Sequence, residues 1–391
     1  MRICLLADGY PNKEYQFFVF VEQLVDALVN IGVDVDVIAP QSITNNLIRK
    51  HPFIPFCNTV KSSEGKKYRV FRPKIITFGN NRVFSQITKF SKKHAIKKTL
   101  KHIGISNIDA FYGHFWHNAN QFTGIALKMH KPLFVACGEG DNALESLIAS
   151  MSIKDKQRLR QAVTGVISVS SENKNKCTRF NLAEAKDIQV FPNCANRDIF
   201  HPLDKLTCRA KLGIDSDVFV VSFVGGFIPR KGSTRVSQAL TELNDPNIKA
   251  IFIGQSLNGN ISDPDYNGTI IKGQVPHDKL PEYLCASDVF VLPTLKEGCC
   301  NAIVEAVSCG IPVISSNLPF NDDILDDNYS IRIDPNSVEE IKSAILKVKN
   351  ESGLKEKMSQ AATQKSKDWS IVSRAKKILD FIEIQSKKLC R

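Results

Sequence analysis

The sequence predicts an α/β fold of two Rossmann-like domains, and three observations carry that prediction. Ile3–Ala7 and Val33–Pro40 read as strands. Between them, Phe20–Gly32 sets Phe20, Val21, Leu24, Val25, Leu28 and Val29 at helical spacing, with Gly32 suited to cap the helix. Asp288–Thr294 and Ile311–Ser316 are apolar, β-rich runs flanking a short helix predicted from near Cys299–Asn301 to Gly310, beyond which Pro312 forbids continuation. A chain of 391 residues is long enough for two such domains with substantial cores.

Composition narrows the function. The net charge is +12, and its excess lies in the first half: residues 1–200 hold 28 Lys/Arg against 16 Asp/Glu, residues 201–391 hold 24 against 24. Residues 51–100 alone hold 12 against 1, which predicts an anionic partner for that half. No RNP, zinc-finger or helix-turn-helix pattern accompanies the charge, so nucleic acid is not expected and an anionic membrane surface is. No run of 18 apolar residues exists, and MRICLLADGY enters a strand without a signal-peptide pattern. The predicted location is cytoplasmic, peripheral on the inner membrane face. Eleven cysteines, unclustered apart from Cys299-Cys300 and never spaced CxxC, read as reduced thiols rather than a disulfide frame or zinc site. Asp34-x-Asp36 falls inside a strand pattern and reads as two outward-facing acids, so no metal is expected.

The rest of the first domain follows in order. Residues 41–80 read as irregular. Ser85–Gly104 sets Ile87, Phe90, Ile96, Leu100 and Ile103 on a helical stripe ringed by Lys89, Lys92, Lys93, Lys97, Lys98 and Lys101, a basic amphipathic helix (Ser85–Lys101) suited to anionic lipid or to covering a core. Strands are predicted around Ile108–Tyr112, within Lys131–Asp141, at Thr164–Ser170 and at Ile188–Asn193. The turn Gly138-Glu139-Gly140-Asp141 lies at a strand end, where open α/β sheets bind ligands. This domain is taken as 1–201.

The second domain, 202–366, opens with the strand Phe219–Gly226. Gly225-Gly226 permit close backbone approach there, and Arg230-Lys231 supply two cations before a helix. Further strands are predicted at Lys249–Ser256 and from Thr269, and a helix at Ser337–Val348. A helix from Lys367 closes the chain (367–391). The helix near Cys299–Asn301 starts after a strand's carboxyl end, so its free N–H groups and dipole favour an anion. Glu297 precedes it and Glu305 lies further along it. Phosphates at one end and hydroxyls at the other suit such a site, and a sugar nucleotide has both.

Glu297-x7-Glu305 with Gly310-Ile311-Pro312-Val313-Ile314 resembles glycosyltransferase family 4, retaining enzymes of GT-B fold. That resemblance implies two facing Rossmann-like domains with a cleft between them and a terminal helix crossing back to the first. It also implies a sugar nucleotide as donor substrate, and a glycan or lipid-linked acceptor near Glu139, Asp141 and His114. Arg230 and Lys231 would meet the diphosphate together with Gly225, Gly226 and the Gly298, Cys299, Cys300 and Asn301 backbone. Gly273, Gln274 and Val275 would meet the nucleobase, Glu305 the ribose and Glu297 the transferred sugar. Lys231-Gly232 matches the family's diphosphate motif, but its usual arginine falls on Gly226 and a usual histidine on Gly138. Asn193 and Phe200 keep the interdomain pattern. A sugar-nucleotide epimerase, a phosphorylase or a non-catalytic nucleotide-binding scaffold shares the architecture.

Overall fold

A computed structural model describes residues 1–12, 18–78, 82–140, 142–256 and 262–389, so Asp141 lies outside the described residues. The chain forms two compact units: Met1–Val169, Asn173–Phe191 and Val372–Arg391 in one, Ser170–Glu172 and Pro192–Ile371 in the other. The divide falls at Pro192, ahead of the expected Pro202. Asn193 explains part of this, because its amide donates to Asn301 Oδ1 (2.8 Å) and to the Cys299 carbonyl (3.3 Å) within the second unit. The last helix, Ile371–Leu389, belongs mainly to the first unit. There Phe381 meets Phe134 and Phe191 edge-on, and the Arg374 guanidinium donates to the Phe191 carbonyl.

The strands of the first unit are β1 (Arg2–Leu6), β2 (Asp34–Ile38), β3 (Gln41–Ser42), β4 (Cys57–Lys61), β5 (Lys67–Phe71), β6 (Lys74–Ile75), β7 (Ala110–His114), β8 (Leu133–Cys137), β9 (Val163–Ser168) and β10 (Ile188–Val190). Eight form a sheet in the order β10-β9-β8-β7-β1-β2-β5-β4, parallel except for β4, while β3 pairs with β6. Strands β7 and β8 are buried throughout, as central parallel strands with covered faces should be. Residues 41–80 are therefore not irregular. Lys67–Phe71 alternates Lys67 and Arg69 with inward Tyr68 and Val70, and pairs with β4 across a turn containing Gly65. Lysines on the outward positions hid that alternation.

Asp36 also departs from expectation. It is 2% exposed and faces inward, held by Arg2 (2.7 Å) and Arg69 (2.8 Å). The predicted basic helix spans Arg82–Ile103, but its apolar stripe is split. Ile96, Leu100 and Ile103 pack into the core, whereas Ile87 and Phe90 are 44% and 74% exposed. Lys92 turns inward: its ammonium lies 3.2 Å from Asp8 and donates to Asn118 Oδ1 (3.0 Å).

The second unit holds β11 (Phe219–Val224), β12 (Ile248–Ile253), β13 (Thr269–Gly273), β14 (Val289–Leu292), β15 (Val313–Ser316) and β16 (Ser330–Ile333) in a parallel sheet ordered β13-β12-β11-β14-β15-β16. Strand order reverses between β11 and β14 here, and between β1 and β7 in the first unit. Such a switch point leaves a crevice at the strands' carboxyl ends. Below the second sheet, Asp288 is buried against Arg209 (2.7 Å) and accepts from Val220 N, with Lys205 and Lys355 beside it. Among the described residues, no helix is long and apolar enough to cross a membrane.

Candidate functional site

The switch point of the second unit gathers most of the predicted residues. The loop after β11 carries Gly225 and Gly226 to Arg230-Lys231, and the loop after β14 carries Glu297 to a helix at Asn301–Ser308. Gly254, at φ 157°, lets the loop after β12 press against the first of these. A Cβ there would stand 1.9 Å from the Gly225 carbonyl oxygen.

Three donors converge on one oxygen of Glu297. Lys231 Nζ lies 2.6 Å and the Arg230 guanidinium 2.8 Å from Oε1, and Thr294 Oγ1 donates to it at 2.7 Å. Arg230 also donates to the Lys296 carbonyl and accepts from Leu295 N through its own. Lys231 is nearly enclosed. Burial alone would lower its pKa, but the negative field of Cys300 and Glu297 raises it above the ordinary lysine value. Because burial keeps the Cys300 thiol protonated, Glu297 is the effective counter-charge.

The helix behaves as its sequence predicts. Cys300 is its N-cap and no side chain caps it, while Gly310 past its end adopts φ 75°. The amides of Ala302 and Ile303 face the Cys300 sulfur, a weak acceptor that an anion would outcompete, and Lys231 Nζ lies 3.9 Å from the same Sγ. Gly298, Cys299 and Cys300 are buried backbone supports, and Asn301 is tied to Asn193. Glu305, further along, lies 2.9 Å from His277 Nε2, a pair the sequence did not suggest. Burial works against the imidazolium, but Glu305 outweighs it and raises the His277 pKa. The Phe200 ring packs edge-on against His277, 5.0 Å between centroids. Gly273 and Val275 begin the loop that carries His277, and a Cβ on Gly273 would meet nothing within 4 Å. That leaves room above the loop for a flat ring.

The first unit's predicted residues are dispersed. Glu139 is 7% exposed, and its Oε1 accepts from Trp116 N at 2.8 Å, at the first residue of the helix Trp116–Met129. Burial raises its pKa. His114 is buried among Phe20, Tyr112 and Phe115, and desolvation takes its pKa down to about 3, so it is neutral at physiological pH. The polar constellation at this switch point is instead Asp8, just past β1, with His117 Nε2 at 2.7 Å and Lys92 at 3.2 Å. Burial opposes the Asp8 charge, but His117 and Lys92 hold its carboxyl well below the usual range. The strand-end rule applied to ICLLAD marks Asp8. His117, the second residue of a helix, carried no such mark.

Residues 204–365 match the family described as Glycosyl transferases group 1. The chain is 27% identical over 235 residues to the UDP-Gal:alpha-D-GlcNAc-diphosphoundecaprenol alpha-1,3-galactosyltransferase of Escherichia coli, covering 56% of this chain and 60% of that protein. It is 28% identical over 213 residues to the alpha-galactosylglucosyldiacylglycerol synthase of Streptococcus pneumoniae, covering 51% and 55% respectively. The chain thus spans little more than half the length of these curated relatives. The solved sucrose-phosphate synthase of Thermosynechococcus elongatus superposes with a TM-score of 0.75 at 18% identity over 98% of both chains. The fold is accordingly of the GT-B class, two Rossmann-like units in one chain.

Proposed function

We propose that the protein is a glycosyltransferase that moves a hexose-type sugar from a nucleoside diphosphate to a hydroxyl of a glycan or lipid-linked glycan, in the synthesis of surface polysaccharide or glycolipid. The observation that carries this reading is the meeting of Arg230, Lys231 and Thr294 on Glu297 Oε1 beside an uncapped helix start. In the reaction the bond from the anomeric carbon to the diphosphate breaks, its electron pair leaving with the phosphate oxygen. The acceptor oxygen then bonds to that carbon and passes its proton to the departing phosphate oxygen. Charge grows on the departing oxygen, where Lys231, Arg230 and the first-turn amides oppose it. Glu297 Oε2, which takes none of these three contacts, would hold the sugar, and Glu305 the ribose.

Retention of anomeric configuration is proposed from the resemblance to glycosyltransferase family 4, and UDP as the nucleotide from the name of the Escherichia coli relative. Because the proposal assigns charge neutralisation to side chains and amides, turnover should survive EDTA. The lysines of Arg82–Ile103 that remain exposed, with Lys92 excluded, would face an anionic membrane.

The test is a thermal-shift panel of sugar nucleotides, since a ligand at about a hundredfold its Kd adds about 2.7 kcal/mol of stability. Hits are then assayed for transfer to acceptor hydroxyls. No stabilisation by any sugar nucleotide, or isomerisation of the donor in place of transfer, would rule the proposal out.

A further inference from the structure

The first unit carries a groove of about 830 Å³ between Arg82–Ile103 and Trp116–Met129, flanked by the helices Ala143–Ser150 and Ile153–Ala162. Ligand pockets run from about 300 to 1,000 Å³. We infer that this groove binds a single-chain lipid with a phosphate or diphosphate head.

Two features of the lining point to that chemistry. Its floor is hydrocarbon: Ile125, Met129, Leu147 and Met151 are half-buried there. Its rim is cationic, with Lys89, Lys93, Lys97 and Lys101 along one helix and Lys128 and Arg158 opposite. Asp155 is the one carboxylate among the described lining residues, and it is bonded to Ser152. None of the six cations has a described ion pair, so their mutual repulsion calls for an anion. Among the described lining residues there is no Phe, Tyr or Trp, and His117 is bonded to Asp8, which leaves nucleobases and sugar rings without a broad stacking platform. Phosphate and hydrocarbon together are met by a lipid phosphate.

The groove also has direction. His117, Lys92 and Asn120 mark its polar end, near the carboxyl end of β7. Met129, the last residue of its helix, lies about 18 Å away at 1.5 Å of rise per residue. The head would sit near His117 and the chain along Ile125 and Met129. Identifying this lipid as the acceptor's carrier rests on the proposed transferase function, whereas the binding itself does not.

The experiment titrates the full chain, without donor, with geranylgeranyl diphosphate below its micelle-forming concentration, using inorganic diphosphate and geranylgeraniol as controls. Calorimetry should show the lipid diphosphate binding at least about tenfold more tightly than either control, because only it meets both floor and rim. The double variant Lys93→Gln/Lys97→Gln should weaken it by about tenfold and flatten its salt dependence. Gly124→Trp should abolish it, since Gly124 is exposed on the lining and an added Cβ meets nothing within 4 Å. Equal affinity for inorganic diphosphate would overturn the inference. So would unchanged lipid affinity in Gly124→Trp with a parent-like melt or, should that variant not fold, in the double lysine variant. UDP titrated into the same parent sample reads the second unit separately. Lipid binding without UDP binding would uphold the groove and count against the proposed function, and the reverse result would overturn the groove alone.

Discussion

The two units place charged side chains just past the strands at their switch points, and the two sets differ in balance. In the second unit, two fixed cations and a hydroxyl meet one carboxylate oxygen beside a helix start, so positive charge is in excess. In the first, one carboxylate is held by a lysine and a histidine ring nitrogen, so a single fixed cation meets a single acid there. One arrangement suits an anion, the other an uncharged polar group such as a hydroxyl. Topology fixes where a ligand can sit in both units, while side chains decide which ligand.

Removing the excess charge should have the largest effect. Lys231→Ala should cut turnover by about three orders of magnitude, the upper range for losing one charge-stabilising donor. Arg230 is 34% exposed against 15% for Lys231, so solvent screens it more. Arg230→Ala should cost about two orders, keep donor binding within a few-fold, and be partly rescued by Arg230→Lys. Parent-like turnover in Arg230→Ala would show that Lys231 and the helix amides suffice.

Glu305→Ala should weaken UDP itself by about 1.5–3 kcal/mol, because a ribose-holding carboxylate acts on bound ligand and transition state alike. Glu297→Ala should instead spare UDP and weaken the sugar nucleotide. Equal losses in both ligands would exchange or cancel the two roles. For the first unit, Asp8→Asn should lower acceptor-dependent turnover by about tenfold, below the 10²–10⁴ of a group that itself transfers the proton, and leave UDP affinity alone.

His277 should give a smaller, pH-dependent effect. Its folded pKa is raised above the ordinary value by Glu305. The pair therefore stabilises the fold fully below about pH 6.5, the unfolded value, and this contribution fades as pH rises through the folded one. Thermal unfolding of His277→Gln should differ from the parent most at pH 6 and converge toward it at pH 9. A difference independent of pH would mean that His277 acts through its packing against Phe200.

The second site was largely legible because its residues lie in two short stretches with strong local signals. Strand, Gly225-Gly226 and Arg230-Lys231 form one. Strand, Glu297, helix and Gly310 form the other. Parallel pairing of β11 with β14 brings them together. The His277–Glu305 pair was not legible, because it joins separate segments and neither residue marks the other. In the first unit the central strands were legible as continuous apolar runs. The β4–β5 hairpin was not, since its outward lysines resemble a loop. Lys92 looked like any other lysine on its helix until the fold turned it onto Asp8.

Glu139 should show the smallest effect, and it tests how the first unit uses its buried carboxyl. At a strand end in sequence it reads as catalytic, yet its Oε1 already accepts the Trp116 amide, and burial raises its pKa. A carboxyl whose folded pKa exceeds its unfolded value costs stability as pH rises through that interval, because the fold disfavours the charge. Gln keeps an acceptor for Trp116 N and removes the charge. Glu139→Gln should therefore melt at or slightly above the parent at pH 8 and level with it at pH 4. Its turnover should stay within about tenfold of the parent, against the 10²–10⁴ lost with a general acid or base. A larger fall in turnover with an unchanged melt would make the buried carboxyl a proton-transfer group.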